Sequence, residues 1–417
     1  MIKNSLILIG ENAIKASKTQ ISNKLKNKVL KKFEDLIRTN KKKILIENMK
    51  DINFARRKKL KENMIMRLEL NNKKIESMML SIRTIASLKD PVNFTESRWK
   101  VPNGLKIQRV TVPIGVIGII YESRPNVTSD VSSLCFKSGN CVILRGGSEA
   151  YFSNKIISQL FRKSLNFFKI DKNFVQFVES KDRSAVKFML SKMRKYIDVI
   201  IPRGGKNLVK MVKNYSNVPV IGHLEGVCHT YIDKNADLNM SKEIVFNAKM
   251  RNTSICGATE TLLIHEKVLK KFINPILDKL KKNGCKIFAD SKTRKYYLQD
   301  IFKVKNSDWG KEHLSSKISV KAVKNISEAI KHINKYGTMH TDAIITKDKK
   351  AANFFLRGVK SSIAIHNSST QFADGGEFGF GGEVGISTNK LPPRGPVGLQ
   401  QLVSYKYEVL GSGQIRE

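Results

Sequence analysis

Hydrophobic positions along this chain follow two rhythms, with a break near Pro91 between them. From about Asn12 to Ser87 the apolar residues recur at helical intervals, as in Ile14, Ile21, Leu25, Val29, Phe33 and Leu36, and no proline or glycine interrupts the stretch. That spacing predicts a helical N-terminal segment whose lysine-rich outer face is solvated. From Val110 to Lys360 short β-branched runs alternate with amphipathic helical patterns. The predicted strands are Val116–Tyr121, Cys141–Arg145, Ile197–Pro202, Cys228–Asp233, Glu260–His265, Ile318–Val323, Asp342–Lys347 and Ser362–His366. Such alternation implies parallel sheets covered by helices, and two sets of strands dividing near Gly226 imply two α/β domains. The C-terminal part differs again. Asp374 to Glu383 is dense in glycine, Pro392 to Pro396 forms a stiff connector, and Val403–Leu410 reads as a strand with Tyr405 and Tyr407 on one face. A late strand needs a partner, so a homo-oligomer completed through this edge is the expectation.

Composition narrows the function classes. The formal net charge is +40, from 76 Lys+Arg against 36 Asp+Glu. The lysines are spread over nearly every segment, and aromatics, at 8%, do not interleave with the basic runs as a nucleic-acid platform would require. Nucleic acid is therefore not the expected partner, although a basic surface suits a phosphorylated substrate. The five cysteines, Cys135, Cys141, Cys228, Cys256 and Cys285, form no CxxC pair and no zinc-finger spacing, so a reducing compartment and no metal are expected. The apolar run Leu6 to Ile9 is too short for a signal peptide, and nothing approaches the roughly 20 apolar residues of a membrane span. Both features point to the cytoplasm and to no membrane.

For covalent chemistry the cysteines come first. Cys135 lies in an apolar helical pattern, Cys141 opens an apolar strand, and Cys285 sits at a Gly-Cys turn without polar neighbours. Cys256 stands in a small polar loop, Arg251 to Thr261, just before a strand. Cys228 is its rival because His229 follows, but neighbours in a strand point to opposite faces. Local sequence leaves the choice open. Asn126 follows a buried-strand pattern and either caps the next helix or aims its amide at a ligand. Arg145-Gly146-Gly147-Ser148-Glu149 and Pro202-Arg203-Gly204-Gly205-Lys206 each join a predicted strand to a predicted helix, where glycine lets the backbone approach a phosphate. Neither matches the G-x-G-x-x-G fingerprint, so each is an anion-binding corner or simply a tight turn.

Taken in order, several long stretches resemble the aldehyde dehydrogenase superfamily, and within it the branch that reduces glutamyl 5-phosphate. They are VPIGVIGIIYESRPNVT and KSGNCVILRGGSEA within Val112–Ala150, IPRGGK at Ile201–Lys206, EGVCHTYID at Glu225–Asp233, NAKMRNTSICGATETLL at Asn247–Leu263, YGTMHTDAI at Tyr336–Ile344, then FADGGEFGFGGEVGIST and RGPVGL. The resemblance runs from about Leu25 to Arg416. It implies an aldehyde dehydrogenase-like α/β fold, with two Rossmann-like domains of parallel sheets and a small β oligomerisation element. The implied division is residues 1–96 and 114–230 for cofactor binding, 231–390 for catalysis, and 97–113 with 391–417 for oligomerisation. The superfamily binds nicotinamide cofactors without the usual glycine fingerprint, so the missing motif is no objection.

Carried over residue by residue, the resemblance makes Cys256 the catalytic nucleophile and Asn126, with the Cys256 backbone N–H, the stabiliser of the oxyanion. Arg145, with Gly146, Gly147 and Ser148 beside it, would lie near the adenine ribose of NADPH or NADP. Gly204 and Gly205 would face the pyrophosphate, and Glu312 would hold the nicotinamide ribose. The implied reaction is NADPH-dependent reduction of L-glutamyl 5-phosphate to L-glutamate 5-semialdehyde with release of phosphate, in proline biosynthesis, through a cysteine thioester. That acyl phosphate is unstable, which points to a transient complex with a separate glutamate 5-kinase. Glu225 is the nearest match to the water-activating glutamate of hydrolytic relatives and is left outside the catalytic set. Asn252, where many relatives carry a basic residue, and Pro392-Pro393, in place of a more usual His-Ala, depart from the pattern.

Overall fold

The computed structural model describes residues 2–416, the side chain of Asn63 apart. By contact it divides into two units, Met1–Gly222 with Gly379–Gly385 and Val397–Glu417, and His223–Phe378 with Ile386–Pro396.

The first unit opens on five helices, α1 (Ile2–Ser17), α2 (Asn23–Thr39), α3 (Lys41–Arg57), α4 (Glu62–Leu68) and α5 (Asn72–Ser87). Helix begins at Ile2, well before the Asn12 start that periodicity predicts, because Leu6, Ala13 and Ala16 are buried in the main core. Without proline or glycine, the breaks are made by caps: the Ser22 hydroxyl accepts from the Leu25 N–H and the Asn71 side chain from the Lys74 N–H. On α2 the stripe Val29, Leu30, Phe33 and Ile37 is fully buried, with the Phe33 ring 4.6 Å from that of Phe161. Each such side chain contributes about 1.5–3 kcal/mol on burial.

Beyond Pro91 come β1 (Thr95–Lys100), β2 (Lys106–Pro113), β3 (Val116–Tyr121), α6 (Pro125–Lys137), β4 (Cys141–Gly146), α7 (Tyr151–Phe167), β5 (Val175–Phe177), α8 (Arg183–Lys192), β6 (Val199–Arg203) and α9 (Lys206–Tyr215). Strands β5, β4, β3 and β6, in that order, make a parallel sheet. Every residue of β3 and β4 is buried, which is why these strands read as unbroken apolar runs. The chain moves outward from β3 to β4 and β5, then returns to place β6 on the other side of β3. The switch point of the sheet therefore lies between the carboxyl ends of β3 and β6.

The second unit carries β7 (Cys228–Ile232), α10 (Leu238–Met250), β8 (Thr259–His265), α11 (Glu266–Lys282), β9 (Lys286–Ala289), α12 (Ser291–Tyr296), β10 (Phe302–Lys303), β11 (Lys317–Val323), α13 (Ile326–Tyr336), β12 (Thr341–Ile345), α14 (Lys349–Gly358) and β13 (Ile363–His366). Its seven-stranded sheet runs β10-β9-β11-β8-β7-β12-β13, with every pair parallel. The units divide between Gly222 and His223. Short strands β14 (Gly385–Ser387) and β15 (Gly395–Val397) pair with each other.

The last strand, β16 (Val403–Leu410), finds its partner in its own chain. It pairs antiparallel with β2, from Val403 opposite Pro113 to Leu410 opposite Lys106, in a sheet ordered β1-β2-β16. As an edge strand it leaves Tyr405, Tyr407, Val409 and Leu410 exposed. None of the described helices is long and apolar enough to cross a membrane.

Candidate active site

Helix α10 ends at Met250, and the chain from Arg251 to Ala258 turns back to enter β8. Asn252 accepts from the Ser254 N–H through its side chain, and Ile255 from the Ala258 N–H through its carbonyl. The loop is pinned from outside: Arg251 Nε donates to Gln371 Oε1 at 2.9 Å, and Gln371 Nε2 donates to the Ala248 carbonyl. Beneath it, Lys249 and Glu260 form a buried ion pair at 2.6 Å. Cys256 rides this loop half-buried, whereas the other four cysteines are fully buried.

Two histidines converge on that thiol. The sulfur of Cys256 and one ring nitrogen each of His223 and His340 all lie within 4.8 Å of one another. His223 is fixed by Nδ1, 2.7 Å from the Ile386 carbonyl oxygen, and His340 by Nδ1, 2.9 Å from Thr341 Oγ1. The His340 ring is sealed from solvent, and its Nε2 has no hydrogen-bond partner among the described residues. Burial alone would push the Cys256 thiol up. The imidazoles of His340 and His223 outweigh that and hold it well below the ordinary thiol range. A thiolate at neutral pH is the form that attacks.

A backbone approach completes the nest. Gly226 lies against Cys256 so closely that an added Cβ would stand 2.3 Å from the Cys256 carbonyl oxygen. The Gly226 N–H donates to Glu312 Oε1 at 2.9 Å, and the Val227 N–H to Thr338 Oγ1 at 2.9 Å. Burial pushes the Glu312 carboxyl up; the Gly226 N–H opposes this and the Cys256 charge adds to it, so Glu312 is within electrostatic reach of the sulfur. Residues 223–227, 256 and 338–340 approach the amino ends of the adjacent strands β7, β8 and β12. The cluster thus sits opposite the carboxyl edge at which open α/β sheets usually bind ligands.

The rival cysteine has a different task. Cys228 Sγ donates to the Cys256 carbonyl at 3.0 Å, and burial holds its thiol well above the ordinary value. His229 points to the other face, where its Nδ1 is 2.7 Å from Asp342 Oδ1 in a fully buried pair. Cys228 therefore braces the Cys256 loop, and the two histidines beside Cys256, His223 and His340, come from distant segments that sequence reasoning did not single out.

In the first unit, Asn126 is the second residue of α6 and does not cap it. The N-cap is Arg124, which makes no side-chain cap bond, while Asn126 Nδ2 donates to Asp130 Oδ2 at 3.2 Å. The two glycine corners differ. At Gly146-Gly147-Ser148 the space is filled from within: an added Cβ would meet Asn154 Nδ2 at 2.1 Å or Glu149 Oε1 at 2.1 Å, and Glu149 accepts from Ser123 N and Oγ. Arg145 is buried there, donating from Nη1 to the Gly146 carbonyl and from Nη2 to those of Lys181 and Asp182. The Gly204-Gly205 corner follows β6 and opens the ten-residue α9, which has no side-chain cap. A carboxylate already uses its donor: Glu122, next after β3, accepts from the Gly205 N–H at 2.8 Å, and a Cβ on Gly204 would fall 2.5 Å from the same oxygen. The corner thus joins a helix N-terminus to a glycine that no side chain could replace, at the switch point of a parallel sheet, with the Gly205 N–H held by Glu122.

Residues 10–293 match the model of the aldehyde dehydrogenase family. The chain is 46% identical over 395 residues to the gamma-glutamyl phosphate reductase of Bartonella tribocorum, covering 95% of this chain and 96% of that one. It is 45% identical over 410 residues to that of Paramagnetospirillum magneticum, covering 98% and 96%. The crystal structure of gamma-glutamyl phosphate reductase from Thermotoga maritima superimposes with a TM-score of 0.95 at 41% identity, covering 99% of this chain and 100% of that one. This chain is an oxidoreductase of the aldehyde dehydrogenase family and belongs to its gamma-glutamyl phosphate reductase branch.

Proposed function

We propose that the enzyme reduces L-glutamyl 5-phosphate to L-glutamate 5-semialdehyde with release of phosphate, in proline biosynthesis, and that Cys256 carries the acyl group. The observation that supports this most is the half-buried Cys256 between two histidines, in a chain so similar to reductases of that name. The Cys256 thiolate attacks the acyl carbon, a C–S bond forms, and the C–O bond to phosphate breaks with its electron pair leaving on phosphate. Phosphate is a good leaving group, so no strong general acid is needed at this step. The carbonyl oxygen gains charge as the sulfur adds. The amide of Asn126 and the Cys256 backbone N–H are the donors assigned to it.

A reduced nicotinamide, when bound, supplies the hydride. The thioester on Cys256 thereby becomes a thiohemiacetal, which collapses to the aldehyde and returns the electron pair to sulfur. Gly204 and Gly205 are assigned to the cofactor pyrophosphate and Glu312 to the nicotinamide ribose. Arg145, with Gly146, Gly147 and Ser148, is assigned to the adenine end of NADPH. Glu225 stays outside the set, because water attack on the thioester would waste it.

The same reading assigns the division of labour. Residues 1–96 and 114–230 bind cofactor, 231–390 hold the chemistry, and 97–113 with 391–417 join subunits of a homo-oligomer along the exposed β16 edge. The enzyme works in the cytoplasm and receives its unstable substrate in a transient complex with a glutamate 5-kinase. Phosphate dependence tests the reaction. Supplied with glutamate 5-semialdehyde and NADP, the enzyme should form NADPH only when inorganic phosphate is present, and equal turnover without phosphate overturns the reading.

A further inference from the structure

The three groups that make Cys256 a nucleophile also make a ligand set that the reduction does not need. One thiolate and two imidazoles are the donors that zinc-class cations select over magnesium or calcium, which take oxygen. Around a tetrahedral ion with bonds of about 2.0–2.3 Å the ligand atoms stand roughly 3.5 Å apart. The sulfur and the two nitrogens already lie within 4.8 Å of each other, so rotation of the side chains by about an ångström closes the site.

Two further features point the same way. Metal-bound histidines ordinarily have their second nitrogen tied to a carbonyl or hydroxyl, which fixes the ring and directs the first nitrogen to the ion. Here His223 Nδ1 is held by the Ile386 carbonyl and His340 Nδ1 by Thr341 Oγ1. That leaves His340 Nε2 as a buried polar atom without a partner among the described residues, in a ring wholly shielded from solvent. Such an atom costs about 1–3 kcal/mol unless something visits it. Cys228 spends its Sγ–H on the Cys256 carbonyl, and its sulfur stands 3.5 Å from His340 Nδ1, the nitrogen that also meets Thr341 Oγ1.

We propose that His223, Cys256 and His340 form a three-ligand site for a zinc-class divalent cation, with the fourth position open to solvent or substrate, and that occupancy silences the nucleophile as a metal thiolate. Binding of the ion is independent of what the enzyme reduces; only the silencing rests on the function proposed above. A lone pair donated to a metal is not available to an acyl carbon, and the ion also takes the place the acyl group must reach.

Cobalt(II) is the probe, added to the untagged, intact enzyme. One equivalent per chain should produce thiolate-to-cobalt charge-transfer absorption together with the intense visible bands of a tetrahedral site, and one equivalent of zinc should bleach both. Zinc should slow iodoacetamide alkylation of Cys256 at least about tenfold, with full recovery after EDTA. Cys256→Ser should lose the charge-transfer band, and His223→Asn and His340→Gln should weaken cobalt binding about 10- to 100-fold. If a variant does not fold, wild-type enzyme carboxymethylated at Cys256 replaces it and should behave as Cys256→Ser does. A cobalt spectrum without charge transfer, a band that survives loss of the Cys256 thiol, or alkylation that saturating zinc does not slow overturns the proposal. None of these readouts uses turnover. A cobalt-thiolate site in an enzyme lacking phosphate-dependent activity would sink the function reading and leave the metal site standing.

Discussion

A methyl group on Gly226 would stand 2.3 Å from the carbonyl oxygen of Cys256 and 2.7 Å from its Cβ, so the Gly226 backbone and the Cys256 loop are in direct contact. Gly226→Ala must therefore displace the loop. Misplacing a reacting atom by about 1 Å costs around a hundredfold in rate. The expected outcome is a fall in kcat/KM of about that size, with overpacking lowering stability by about 1–3 kcal/mol. Steady-state kinetics and thermal unfolding of the variant check both, and wild-type kinetics would show that the contact does not matter.

His340 acts on the sulfur by charge. Replacing it with glutamine keeps a polar group of similar size and removes the imidazole that most strongly holds the Cys256 thiol down. The thiolate fraction at neutral pH should shrink, and iodoacetamide alkylation of Cys256, followed by peptide mapping, should slow about tenfold or more. His223→Asn should slow it as well, by less. An unchanged alkylation rate in both variants contradicts the assignment.

Asp130 gives the fold a pH dependence. Burial pushes its carboxyl from 3.8 up to about 6, against opposing hydrogen bonds from Ser81 and Asn126. The residue as a whole is half-buried, but Oδ1 is sealed from solvent with no hydrogen-bond partner among the described residues, which supports the direction. Between pH 3.8 and about 6 the folded protein keeps a proton that the unfolded chain has released, so stability falls as pH rises through that window. Asp130→Asn removes the cost of ionisation. It should stabilise the protein by on the order of 2 kcal/mol at pH 8 and by nothing near pH 3.5. Denaturant unfolding at the two pH values measures it, and equal stability at pH 8 counts against the buried charge.

Where one physical signal dominates, sequence is enough to place an element. Strands β3, β4 and β16 appear within a residue of their expected bounds, because β3 and β4 are continuous buried runs and β16 is a β-branched, aromatic segment set off by turns. β5 and β9, of three and four residues, are too short for periodicity to register. The first helix extends back to Ile2 because Leu6 packs into the core, which only tertiary burial explains. At the site, the polar loop marked Cys256, but nothing local separated it from Cys228. What separates them is the fold, which leaves Cys256 half-buried between His223 and His340, buries Cys228, and turns His229 away to Asp342. His340 stood within the stretch YGTMHTDAI, yet its place beside Cys256 comes from pairing of segments far apart in the chain, and no spacing rule encodes that. Asn126 read locally as either a helix cap or an amide aimed at a ligand; it caps nothing, and its amide donates to Asp130 one turn further along α6.

The central claim is that the Cys256 thiol carries the acyl group. Its most direct test is phosphate-dependent NADP reduction by Cys256→Ser alongside the wild type, with NADP binding and circular dichroism as checks on folding. A hydroxyl between the same two imidazoles is a far weaker nucleophile than a thiolate, so kcat should fall at least about a thousandfold while NADP binding is kept. Turnover within about tenfold of wild type in a folded, NADP-binding Cys256→Ser protein would contradict the account and remove Cys256 from the mechanism.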